Sequence, residues 1–279
     1  MTNSFLTVPN EKLAAYGPHS SANREVLLFT VANDFEAHGQ AMPPDIDSRN
    51  IKALVHMACQ RTGATFAAHL PFSTDSVGEI ARNWSPQYMP FNAFVEGLIA
   101  TAKPWIESFS FRPRKVLMVI GHGGNRLLPT RDDEISKQLG VQTESFMPGV
   151  LRPIPGLESF EAAEFVIENF AAGGEHAYHV EHSMAAHFGD VDFDKLAEMN
   201  RVAADDPLDA LRRWPAIAGL GGYIEFGGKE FDPLREIAGL VMCLDDFKRR
   251  RKIIADAKFG GDIVEVAVEF IVDKIVSSP

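Results

Sequence analysis

Cysteine is scarce: the 279 residues hold two, Cys59 and Cys243, each inside an apolar helical pattern. No disulfide framework can hold this chain together, and both thiols read as small hydrophobes. Basic residues are outnumbered, with 27 Lys and Arg against 38 Asp and Glu and a formal net charge of -11. Binding to phosphate backbones needs clustered cations, so no nucleic-acid partner is expected. The one basic run, residues 248–252, reads as the solvated end of a helix. Also missing is any apolar run of membrane-spanning length, and residues 1–17 contain Glu11 and Lys12 but no sustained apolar core. Nothing marks export or membrane insertion, which makes a cytoplasmic enzyme the expectation. No repeat, low-complexity tract or linker stands out.

What remains is ordinary globular composition, 46% hydrophobic and 23% charged, with ample length for a core. The first half alternates strand-like and helix-like segments. Residues 26–33 and 64–70 read as buried strands, and Lys115–Ile120 (Lys-Val-Leu-Met-Val-Ile) is the clearest one. Residues 49–61 carry Ile51, Leu54, Val55, Ala58 and Cys59 on one helical face, with Asp47 or Ser48 as a candidate cap. Residues 91–105 form the next amphipathic helix, and residues 231–252 and 262–277 show helical spacing in a mainly helical C-terminal third. Strands separated by helices predict a mostly parallel sheet in a single α/β domain over 1–279. Ligands of such sheets collect beyond the carboxyl ends of the strands.

Of three polar clusters, two fall where that rule points. Glu36, His38 and Asp47 follow the first strand; carboxylates there are costly to bury unless a positive partner sits between them. A divalent metal is the simplest such partner, and carboxylate with neutral imidazole suits zinc, manganese or iron. The bland reading of this cluster is a solvated helix-capping loop. His122 and Asn125 lie in Gly-His-Gly-Gly-Asn after the 115–120 strand, where His122 can offer a ring nitrogen and Asn125 can cap a helix or anchor a substrate. The third cluster holds His176, Tyr178, His179, Glu181, His182 and His187. Glu181 near a helix start is suited to an anionic ligand role, and His176 to acid–base work near neutral pH. The loop with Asp75, Arg82 and Trp84 either lines the mouth of the site or is an ordered surface loop.

Taken together, Glu36-x-His38-Gly39 with Asp47, Gly-His122-Gly-Gly-Asn125, and His176-Ala177-x-x-x-Glu181-x-Ser183 resemble the creatininase (creatinine amidohydrolase) family over about residues 26–190. The resemblance implies a three-layer α/β/α sandwich with one or two divalent ions, hydrolysis of a C–N bond in a small cyclic or linear amide, and a homo-oligomer, commonly a hexamer. By the same resemblance His38, His122 and Asp47 hold one ion. Glu36, Asp47 and either Glu181 or His179 hold the other, Asp47 bridging. His176 delivers a proton, and Asn125, Tyr178 and His179 are candidate substrate contacts. Glu181 is also counted among the catalytic groups. The chain departs from the family pattern at Gln40-Ala41 and at Tyr178, His179 and His182. Gly124 stands where creatinine-cleaving members carry a glutamate ligand, which makes creatinine an unexpected substrate. A lactone, cyclic ketone or formamide substrate, or a non-catalytic small-molecule binder, are the competing expectations.

Overall fold

The computed structural model describes residues 23–74, 85–148, 177, 179–206, 209–210, 213–214 and 253–277. Strand β1 (Val26–Val31) lies inside a parallel sheet between β2 (Thr65–Leu70) and β3 (Lys115–Ile120), and β4 (Thr143–Phe146) pairs with the far side of β3. All six residues of β1 and of β3 are buried, because helices cover both faces.

The pleat sorts their side chains between two cores. Val26 and Leu28 of β1, with Leu117 and Val119 of β3, pack against α1 (Ile46–Thr62), α4 (His179–Phe188) and α6 (Ala257–Val276). Leu27, Phe29 and Val31, with Val116, Met118 and Ile120, pack against α2 (Phe91–Ser108) and α3 (Asp132–Leu139). The result is the expected α/β/α sandwich. Helix α5 (Phe193–Asp205) lies outside both, packing Leu196, Met199 and Val202 on Met42 and Ile46. No helix among the described residues is long and apolar enough to cross a membrane.

The strand order β2-β1-β3-β4 decides where a site can form. The chain moves outward from β1 to β2, then crosses back over β1 to β3. Neighbouring connections therefore leave β1 and β3 in opposite directions, and a crevice opens beyond their carboxyl ends. Residues 36–38 follow β1 into that crevice and His122 follows β3.

Several boundaries depart from the sequence reading. Helix α1 begins at Ile46, not Arg49, so neither Asp47 nor Ser48 is its cap: both sit in the first turn, after a cap position at Asp45. Helix α2 runs through Pro104 to Ser108. Helix α6 starts at Ala257, where the Asp256 carboxylate accepts from the Lys258 and Phe259 amides, and it carries Gly260-Gly261 inside its first turns. Strand β4 and helix α3 were not read from the sequence. Cys59 is partly buried against the α1–α6 core, and burial pushes its thiol up to about 12. Cys243, the 231–252 helix, the basic run and the loop with Asp75, Arg82 and Trp84 lie outside the described residues.

Candidate metal centre

Five ionisable side chains from four segments meet at the β1–β3 crevice. Glu36, His38, Asp47 and His122 are each no more than 6% exposed, and the Glu181 side chain is 25% exposed. His122 Nδ1 lies 2.8 Å from Glu36 Oε2 and 3.1 Å from Asp47 Oδ2. His38 Nε2 lies 3.3 Å from Asp47 Oδ1 and 3.8 Å from Glu181 Oε2. Asp47 thus turns one oxygen to each imidazole. Ligand atoms of Glu36, His38 and Asp47 all fall within 4.8 Å of one another, a spacing that can hold a metal ion.

Backbone carbonyls set which nitrogen each histidine presents. His38 Nδ1 donates to the Glu36 carbonyl at 3.0 Å, so Nε2 faces the carboxylates. His122 Nε2 donates to the Thr74 carbonyl at 3.3 Å, so Nδ1 does. Outer hydrogen bonds of this kind hold the tautomer and ring angle that a metal ligand requires. Gly124 makes the second one possible: a Cβ there would lie 2.3 Å from the Thr74 oxygen and 2.4 Å from His122 Nε2. Glu181 stands in the first turn of α4 and accepts a short bond from the Ala177 amide. Ala177 is fully buried at φ 54, a left-handed conformation that non-glycine residues rarely adopt.

Without a cation these groups perturb one another strongly. Burial opposes charge on His38, but the Asp47 carboxylate, then Glu181 and Glu36, outweigh it and lift the imidazole to about 10. His122 is likewise held well above its ordinary value, with Glu36 and Asp47 overcoming burial. The same two imidazoles overcome the burial of Asp47 and hold its carboxyl far below the carboxylate range. Burial pushes Glu181 up to about 8, with Asp47 and Glu36 reinforcing it and His38 and the Ala177 amide opposing. The shifts favour positive charge on both imidazoles, the sign of charge that a cation would supply.

In direct contacts, His122 meets Glu36 and Asp47, and His38 meets Asp47 and Glu181, while the three residues whose ligand atoms cluster closely enough for one ion are Glu36, His38 and Asp47. Asn125, a candidate helix cap or substrate anchor, is held within the protein. It is fully buried, Oδ1 accepts from the Thr74 amide at 2.9 Å, and Nδ2 donates to the Phe72 carbonyl at 3.0 Å. It ties down the loop whose Thr74 carbonyl holds His122, with no surface left for a ligand. His176 and Tyr178 lie outside the described residues, as does the side chain of His179.

One polar network beside the centre was not read as a unit. His69, at the end of β2, contacts Thr30 Oγ1 through Nδ1 at 2.8 Å, and Asp34 Oδ1 and Ser48 Oγ through Nε2 at 3.0 and 3.1 Å. Ser48 also donates to the Asn33 carbonyl at 3.1 Å. The network joins the segment leading into Glu36 to the first turn of α1, next to Asp47. The only signal was a histidine at the carboxyl end of a buried strand. His69→Ala is expected to lower stability by about 2 kcal/mol, since it strips partners from Asp34, Thr30 and Ser48 together. An unchanged urea midpoint would show that these bonds contribute nothing net.

Fold and site define a class: an α/β/α protein whose sheet carries a buried carboxylate–imidazole cluster able to hold divalent metal. Within that class the chain has the creatininase fold. A crystal structure of creatinine amidohydrolase (creatininase) matches it with a TM-score of 0.56 at 15% identity, over 96% of this chain and 95% of that one. A mutant creatininase complexed with creatine matches with a TM-score of 0.56 at 15% identity, over 92% and 93%. A mutant creatininase of Zn-Zn type matches with a TM-score of 0.54 at 17% identity, over 96% and 94%. No protein-family model matches the sequence, and no curated protein matches it.

Proposed function

We propose that this protein is a metal-dependent amidohydrolase that cleaves a C–N bond of a small cyclic or linear amide. The observation that carries the reading is the gathering of five donors, Asp47 at their centre contacting both histidines, with each histidine's other ring nitrogen held by a backbone carbonyl. One ion is assigned to Glu36, Asp47 and His122, the other to His38, Asp47 and Glu181, with zinc, manganese or iron as candidates. A pair of divalent ions at such a centre lowers the pKa of a shared water and polarises a carbonyl. Asp47 holds the two donor sets in register, and Glu181, the most exposed of the five, borders the substrate. His176, next to the strained Ala177, is assigned proton delivery to the leaving nitrogen. Tyr178 and His179 remain the candidate substrate contacts.

Creatinine is not part of this reading. Any side chain at position 124 would collide with His122 and Thr74, so a glutamate ligand has no place there. The same reading takes residues 1–279 as one domain of a cytoplasmic homo-oligomer, with a hexamer as the first assembly to test and no nucleic-acid partner. The experiment is metal analysis of protein purified without chelator, coupled to hydrolysis assays on lactams, cyclic imides, formamides and lactones with added manganese or zinc. Chelator-sensitive amide hydrolysis is expected; a preparation that binds neither metal and cleaves none of the panel overturns the proposal.

The protonation states add a pH prediction. His38 and His122 are raised, so their contribution to stability is complete below about 6.5 and is lost as pH rises through the folded values, about 10 for His38. Glu181, raised to about 8, likewise withdraws stability between its unfolded value near 4.5 and about 8. Both act in one direction: metal-free protein should lose several degrees of Tm between pH 6 and 9. Ligation needs deprotonated groups, so the Tm increment on adding manganese should grow over the same range. A manganese increment that shrinks with pH would contradict the assigned ligands.

A further inference from the structure

The metal centre continues into a cleft of about 120 Å³ between α1, α4 and the ends of β3 and β4. Asp47 and Glu181 form its polar end. From there the walls follow helical geometry. On α1, Asp47, Ile51 and Leu54 recur on one face, and on α4 Glu181 is followed one turn on by Met184. Each helix that turns a carboxylate to the centre lines the cleft with its next turns. Ile120 and Met147 close the sheet side.

The chemistry of these walls is one-sided. Apart from the two carboxylates, the only polar side chain among the described lining residues is the neutral amide of Asn50; no lysine or arginine is among them. Beyond the metal centre itself, no described residue of the walls offers an anionic substituent a counter-charge. An apolar cavity of about 150 Å³ holds benzene, so a cleft of about 120 Å³ has room for a branched or cyclic substituent of roughly four to six carbons.

We infer that this cleft takes an uncharged, apolar substituent of the amide, held while its carbonyl lies at the metal centre. The inference rests on the hydrolase reading and narrows it: substrates are apolar-substituted amides or lactams, not compact polar ones. Apolar burial strengthens binding by about fourfold per methylene, so the preference is measurable.

The test is calorimetric titration of the manganese-loaded protein with three hydroxamates, which bind metal through a common head group. Cyclohexanecarbohydroxamate is expected to bind at least tenfold more tightly than acetohydroxamate, and the anionic monohydroxamate of succinic acid no better than acetohydroxamate. Met147 is 39% exposed, so Met147→Glu leaves the fold intact; it should bring the cyclohexyl-to-methyl affinity ratio close to one. If acetohydroxamate binds and the cyclohexyl compound gains nothing, the apolar pocket is overturned while the metal centre stands. If no hydroxamate binds, the metal centre and the pocket fall together. A cyclohexyl preference untouched by Met147→Glu places the apolar group elsewhere and overturns the assignment.

Discussion

On the proposed two-ion reading, Asp47→Asn is expected to abolish binding of both metal ions in one step and to leave no hydrolysis above background. The reason is geometric. One oxygen lies 3.3 Å from His38 Nε2 and the other 3.1 Å from His122 Nδ1, so this carboxylate is the only group shared by both donor sets. Asparagine keeps the shape but presents an N–H at one end, and it lacks the charge that two cations require. Losing an outer hydrogen-bond partner alone weakens metal binding by about 10–100-fold. A shared inner ligand should cost about three orders of magnitude or more. Glu36→Gln and Glu181→Gln serve as the comparison, because each touches one set: each should remove one ion and leave the other. Metal counted per chain after equilibrium dialysis separates these outcomes. Retention of both ions by the Asp47→Asn protein would sink the bridging role, and equal losses in all three variants would argue for a single ion held by the whole cluster.

Gly260→Ala is expected to be the most disruptive single methyl in the described structure. A Cβ at 260 would lie 1.8 Å from the Ser183 carbonyl oxygen and 2.9 Å from the Met184 amide nitrogen. Both are backbone atoms of α4, so no rotamer change relieves the clash. Alanine gains about 1 kcal/mol in helix propensity. That is small beside the need to drive α6 away from α4, where Phe259, Ile263 and Val264 pack against Val180 and Met184. The junction also carries the bond from the Asp256 amide to Ser183 Oγ at 3.1 Å. Net destabilisation of about 3 kcal/mol or more is expected, a fall in Tm of roughly ten degrees. Because α4 carries Glu181, the ion assigned to His38 and Glu181 should weaken while the other is retained. Gly261→Ala is the control: the atoms nearest its Cβ would be those of the His187 ring, 3.0 Å away, and a side chain can give. Equal Tm values for the two variants would show that α6 does not approach α4 this closely.

The strands and helices that the sequence revealed are those with long, uniform patterns. Val26–Val31 and Lys115–Ile120 are unbroken apolar runs because both faces are covered, and that pattern has few other readings. Strand β4, Thr-Glu-Ser-Phe, is short and polar because it pairs only with β3 among the described strands. The start of α6 was hidden by Gly260-Gly261, whose weak helix propensity reads as a break; close approach to α4 is a tertiary reason for glycine, and no local pattern reports it. The partners of Asn125 at positions 72 and 74 were hidden for the same cause, since they are more than fifty positions away.

For the site, the sequence alone determined which carboxylates and imidazoles are present and that Glu36, His38 and His122 follow strands, where a buried carboxylate would call for a cation. Those are properties of residue type and local pattern. Tertiary structure decided the pairing. That Asp47 turns an oxygen to each histidine, that Thr74 and Glu36 carbonyls fix the two tautomers, and that His69 braces the whole from behind all depend on distances between segments that only the sheet order brings together.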